Sequence, residues 1–241
     1  MATTIIIIIT TTIMTMLADA ALHRLLAWTS PAYPVGSFTY SHGLETAVED
    51  GRARTAADVA AYVEAVLARG GGWVDAVLFV HGYRAAQDAA AFDAVAELAA
   101  AFRGSSETAL ESRQQGGSFL SVTRKAWPHP ALDDFAARWG ERPIAHAAVM
   151  ALACAVHAIP LEPALHGWLH GTAANLVSAG VRLAPLGQTD GQLALAALSR
   201  AIPPIAAKAL VTALDDLGTA APELELASTA HETLYTRLFR S

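Results

Sequence analysis

Val181–Gln192 reads VRLAPLGQTDGQ, a polar turn set between two Ala/Leu-rich stretches of helical period. Pro185 cannot continue a preceding helix and drives Ala184 toward extended backbone, while Gly187 permits angles that other residues avoid. Thr189 followed three residues later by Gln192 matches a capping box, and Asp190 between them suits the positive end of a helix dipole. The stretch therefore predicts one helix ending and another beginning. Reading outward from it in both directions, the same alternation of apolar 3.6-residue patterns and Gly/Pro breaks continues to the ends of the chain.

From Asp19 onward about ten helices are marked off in this way. Leu22, Leu25 and Leu26 give a first apolar face, followed by the loop SPAYPVGSF at Ser30–Phe38. A short helix from about Ser41 stops at Gly51, and Thr55 caps the next, which ends at Gly70–Gly72 with Tyr62, Val63 and Val66 inward. Segments opening at Trp73, Phe92 and Glu107 come next; paired Gly116 and Gly117 in the last imply close packing or a kink. Pro128, Pro130 and Pro143 bracket a short helix, and helices over Ile144–Ile159 and Pro163–Ala184 lead into the opening turn. Two more are expected after it, Asp190–Ala201 and Ile205–Leu217. Without strand-period alternation after the N-terminus, the fold class is all-α from residue 19 onward, as one large helical domain or two small ones.

Composition agrees with a large buried core. The 241 residues are 54% hydrophobic and 16% charged, and much of the apolar content is alanine, the strongest helix former. A net charge of -6 and the lack of a basic stripe interleaved with aromatics argue against broad nucleic-acid binding. The single cysteine, Cys154, excludes an internal disulfide framework and lies in an apolar run that predicts a buried thiol. Residues 1–18, MATTIIIIITTTIMTMLA, lack the positive region and cleavage site of a signal peptide and fall short of a membrane span, so they read as a poorly ordered extension. No membrane partner is expected.

Catalytic and metal motifs are sparse. There is no GxxxxGK[ST] phosphate loop, GSFTYSHG is not a GxSxG elbow, and His231-Glu232 lacks the second histidine of HExxH. His166 and His170, four apart on one helix, form the candidate metal pair, with His157 as a further donor; Gly167 between them and the lack of a spaced carboxylate leave no metal site assigned. The terminal HETLYTRLFRS places Leu234, Tyr235 and Leu238 on one helical face beside Phe239, flanked by Arg237 and Arg240. Such a face at a terminus has few intrachain neighbours and reads equally as a final helix docked on the core or as a segment that orders against a partner.

Four separated blocks carry a family likeness. They are Ser30-Pro31 with Pro34–Phe38, Tyr40-Ser41 and Gly43–Glu45; Glu111, Arg113 and Gly116; Val181–Gln192; and His231-Glu232 with Tyr235 and Arg237–Ser241. In this order and spacing the chain resembles the urease accessory proteins of the F type, the UreF family, over roughly residues 22–241. The departures are Gln115 where methionine is frequent, Glu225 where aspartate is frequent, and the Ile-rich head. The resemblance implies a single all-helical domain over residues 19–241 and a usually dimeric, cytoplasmic and non-catalytic maturation factor. It bridges a G-type GTPase and a D-type (also called H-type) accessory protein, coupling GTP hydrolysis to nickel delivery into apo-urease. Nickel passes through the complex and no cofactor is stably held. Within that expectation the GTPase side is assigned to Arg182, Gln188, Thr189 and Asp190, with Tyr40, His42 and Glu45 as a second patch. The D/H-type side falls to a docking tail over about residues 222–241, carried by His231, Glu232, Tyr235, Arg237, Leu238, Phe239 and Arg240. A generic helical interaction module and a helical hydrolase are the alternatives.

Overall fold

A helix apolar on every side can be stable only when other helices surround it, and HAAVMALACAV is such a sequence. In the computed structural model, which describes residues 19–241, this helix, α8 (His146–Val156), is the hub: Ala147 through Cys154 are all buried. Eleven α-helices are present among the described residues: α1 (19–28), α2 (Leu44–Glu49), α3 (Ala56–Arg69), α4 (Gly71–Ala85), α5 (Ala89–Ala101), α6 (Ser106–Ala126), α7 (Pro130–Trp139), α8, α9 (Leu161–Leu183), α10 (Gln188–Val211) and α11 (Pro222–His231). Helices α4, α6, α7, α5 and α9 surround α8, and α3 and α10 close the layer beyond α4 and α9. The expected all-α fold is observed. Residues 1–18, including the Ile-rich extension, lie outside the described residues.

Local chemistry sets most boundaries. Thr55 and Asp58 form the reciprocal capping box of α3, Asp88 accepts from Ala90 and Ala91 at the start of α5, and Ser105 and Thr108 cap α6. The Gly116–Gly117 pair resolves into close packing on one side only. A Cβ on Gly116 would lie 2.1 Å from the Ile144 carbonyl oxygen, whereas one on Gly117 would meet nothing within 4 Å. Gly116 thus lets α6 approach the entry of α8 closely.

Three expectations are corrected. The cap after Pro185 is shifted: α10 begins at Gln188, and Asp190, not Thr189, closes the turn by accepting the Gly187 N–H at 2.8 Å. The two helices expected after it are one, running through Pro203 and Pro204. Both proline rings are on the solvent face, with Ser199 and Arg200 also exposed, so the carbonyls deprived of an N–H partner are open to water while Ile202, Ile205 and Ala206 remain buried. A single 3-10 turn, Leu214–Asp216, lies between it and α11. Among the described residues α10 is the one helix long and apolar enough to cross a membrane; here it packs against α9 and α3. The third correction concerns the tail. Helix α11 stops at His231, so Leu234, Tyr235 and Leu238 form no helical face. Residues 232–241 instead run as a non-helical strap onto the body of the same chain.

Candidate functional site

The strap ends where the first loop, α2 and α6 meet. Helix α6 presents Glu107, Glu111 and Gln115 at four-residue spacing, hence on one face. Helix α2 presents Glu45 from its first turn. All four side chains are buried, and burying carboxylates is costly unless each is paired. The strap and the first loop supply the partners. Glu45 accepts the backbone N–H groups of Leu238 at 2.7 Å and Phe239 at 2.9 Å, and faces His231 Nε2 at 3.0 Å. Glu107 accepts from Arg237 and faces His231 Nδ1, both at 2.6 Å. Both ring nitrogens of the fully buried His231 therefore face carboxylate oxygens, an arrangement that an imidazolium satisfies by donating twice. Glu111 accepts the Ser241 hydroxyl at 2.9 Å and the Gln115 amide at 2.8 Å, and meets His42 Nε2 at 3.0 Å.

The loop before α2 is shaped for this contact. His42 and Gly43 are both left-handed, at φ 53° and 75°. Gly43 has no room for a side chain, since a Cβ would lie 2.7 Å from the Ser228 nitrogen on α11. Tyr62 holds the turn by donating to the His42 carbonyl at 2.8 Å, and the Ser41 N–H donates to the Ser241 carbonyl at 2.9 Å, as does the Ser41 hydroxyl. Tyr40 is buried with its hydroxyl donating to Gln114. Phe239 inserts among Leu44, Ala47, Ala53 and Ala179, and the Arg182 guanidinium lies over its ring, 4.4 Å from the centroid. The opening turn, the first loop, α6 and the tail are thus joined in one junction.

Behind the junction is a cavity of about 630 Å³, lined in part by His42, Asp75, Arg103, Glu111, Gln115 and His146. Gln115 Oε1 faces His146 Nδ1 at 3.0 Å, so hydrogen bonding runs unbroken from Ser241 through Glu111 and Gln115 to His146. Burial alone would depress the His42 pKa, but the adjacent Glu111 carboxylate outweighs it and raises the pKa above the ordinary value. His146, with no carboxylate in contact, is pushed down to about 4 by burial.

A family model described as UreF matches residues 53–199. The urease accessory protein UreF of Granulibacter bethesdensis is 53% identical over 225 residues, covering 92% of this chain and 95% of that relative. Those of Rhodopseudomonas palustris, at 49% identity, and a Bradyrhizobium species, at 46%, each align over 92% of this chain and over 93% and 92% of their own lengths. The chain belongs to the UreF family.

On this UreF-family fold the residues singled out by sequence divide by exposure. Arg182, Gln188 and Thr189 are exposed, with Asp190 half-buried in its capping role. Tyr40 and Glu45 are buried and His42 half-buried, so this second patch forms the seat of the tail. In the tail, Tyr235, Leu238 and Arg240 are exposed, Arg237 reaches inward to Glu107, and His231 and Phe239 are buried. Glu232 caps α6, accepting the Ser106 N–H at 3.0 Å and its hydroxyl at 2.7 Å, which holds its carboxyl below the usual range. His166 is half-buried and His170 exposed, His157 bonds the Trp127 carbonyl, and no group of three potential metal-ligating side chains occurs among the described residues. Sequence reasoning passed over Glu107, Gln114, Gln115 and His146 as site residues; the four-residue spacing of Glu107, Glu111 and Gln115 is the signal that marks their shared face.

The two cavity histidines act oppositely on stability. His42, raised in the folded chain, contributes stability that is complete below its ordinary pKa of 6.5 and is lost as pH rises through its folded value. His146 stays neutral in the folded chain while the unfolded chain takes up a proton, so from pH 6.5 down to about 4 folding weakens. Replacing His146 with Gln should flatten this acid limb: between pH 6.5 and 4.5 wild type is expected to lose ~2 kcal/mol more than the variant in urea unfolding. Parallel losses would contradict the assignment.

Proposed function

We propose that this chain is a non-catalytic urease maturation factor, a cytoplasmic homodimer that bridges a G-type GTPase and a D/H-type accessory protein and couples GTP hydrolysis to nickel delivery into apo-urease. The names of its relatives support the urease context. The observation that carries the bridging role is the junction itself: through Arg182 and Phe239 the opening turn and the tail are in contact. Arg182, Gln188 and Thr189 on the turn and Tyr235, Leu238 and Arg240 on the tail are exposed. We assign the turn side to the GTPase, where an arginine and polar side chains supply charge-assisted hydrogen bonds. The tail side goes to the D/H-type protein, where Tyr235 and Leu238 supply apolar anchors. Nickel is cargo, with no resident metal, and hydrolysis belongs to the partner because this sequence contains no phosphate loop.

Capture assays with the purified full chain test the assignment. Gln188→Ala should weaken capture of the GTPase by about tenfold and leave capture of the D/H-type protein and the helical circular dichroism unchanged, whereas Arg182→Ala, which also removes the contact over Phe239, should weaken capture of both partners. Deleting residues 232–241 should abolish capture of the D/H-type protein. Undiminished capture by these variants would refute the division of surfaces.

A further inference from the structure

We propose that the outer face of α10 is a docking surface for an acidic, amphipathic segment of another protein. Helix α10 is out of balance with its own composition. It is apolar enough to span a bilayer, yet its most apolar stretch is only 33% buried, whereas the equally apolar α8 is enclosed from Ala147 to Cys154. One side is accounted for, since Leu198, Ile202 and Ile205 are buried in the core. On the other, Leu193, Ala196, Pro203, Pro204, Ala207 and Val211 recur at helical spacing and are all exposed, Leu193 by 61% and Val211 by 82%. At 1.5 Å per residue they form a ridge about 27 Å long. A continuous exposed apolar surface of this kind marks an interaction site, where scattered apolar side chains would not.

The polar groups on the ridge state the chemistry of what covers it. After Asp190 the helix carries no carboxylate, and its ionised side chains are Arg200 and Lys208, although the chain as a whole has a net charge of -6. Lys208 is engaged over the Trp73 ring at 4.5 Å. Arg200, exposed between Ala196 and Pro203, enters no ion pair among the described residues and is free to meet a carboxylate. A second copy of the chain would bring the same cations to the contact, and like charges oppose that pairing. Pro203 and Pro204 decide between protein and lipid. Neither has an N–H, so the carbonyls of Ser199 and Arg200 lack their helical donors. Hydrocarbon would leave both acceptors unsatisfied, whereas a protein segment can supply side-chain donors to them. The surface therefore fits a helix that lays an apolar face along the ridge and offers carboxylates to Arg200.

Two synthetic amphipathic helices with the same leucine face, one flanked by glutamates and one by lysines, are the probes, titrated into the full nitrogen-labelled chain. The glutamate peptide should shift the amides of residues 193–211 saturably and bind about tenfold more tightly than the lysine peptide. Arg200→Glu should reverse that preference, and Ala207→Arg, which sets bulk on the ridge, should abolish binding of both. No saturable shift, equal affinity for the two peptides, or an unchanged preference in Arg200→Glu would overturn the proposal. So would tighter association of α10 with phosphatidylglycerol vesicles, or a dimer that Ala207→Arg disrupts, since these would give the ridge to a lipid surface or to a second copy. Should either variant fail to fold, the comparison of the two peptides on wild type still decides.

Discussion

Replacing Gly116 with alanine is expected to destabilise the chain by ~3 kcal/mol or more, while the same change at Gly117 is neutral or stabilises by up to ~1 kcal/mol. The two glycines are neighbours in α6 and would gain equally from the better helix former. They differ in what faces them. At Gly116 the new methyl carbon would lie 2.1 Å from the Ile144 carbonyl oxygen and 2.9 Å from its carbon, contacts with backbone that no rotamer can relieve. Relief requires α6 to move away from the entry of α8, which would pull Gln115 from His146 and Glu111 from Ser241. Urea unfolding of the two variants checks this, and similar midpoints would mean that α6 and α8 are not in close contact.

Glu45→Ala should cost ~3–5 kcal/mol and free the tail. The substitution removes one buried carboxylate but orphans three donors at once: the N–H groups of Leu238 and Phe239 and the His231 ring. His231 keeps Glu107, whose carboxylate it shares with Arg237, but the strap loses the bonds that hold its backbone against α2. Besides a lower urea midpoint, hydrogen exchange at the Leu238 and Phe239 amides should rise to the rate of exposed backbone. Retained protection there would show that Phe239 packing and the remaining bonds of Arg237 to Glu107 and of Ser241 to Ser41 and Glu111 anchor the tail without Glu45.

Most of the fold was legible because its signals are local. Thr55 before an apolar run, Gly70 after one, and the all-round apolar Ala147–Cys154 stretch each state their own structure. Pro203 and Pro204 lie in the gap between the two expected helices, yet whether a proline ends a helix depends on which face it occupies, and that is set by the packing of α10 on α9 and α3. The tail misled for a related reason. An apolar period can be counted along the chain, but the residues that seat this tail are polar ones distant in sequence, Glu45, Glu107 and Glu111, and their burial follows only from their partners. The blocks that carried the family resemblance contain many of the residues that form the junction, although their meeting around one carboxylate cluster was not readable from any of them singly. The cavity histidine His146 gave no sequence signal, since its role depends on Gln115 turning toward it.

The most direct test of the proposed maturation role is reconstitution of urease activity from apoenzyme, nickel, GTP and the other accessory proteins, with and without the full chain. Activity that depends on this chain, and on GTP hydrolysis only when the chain is present, is the predicted result. Equal activation without it would contradict the account.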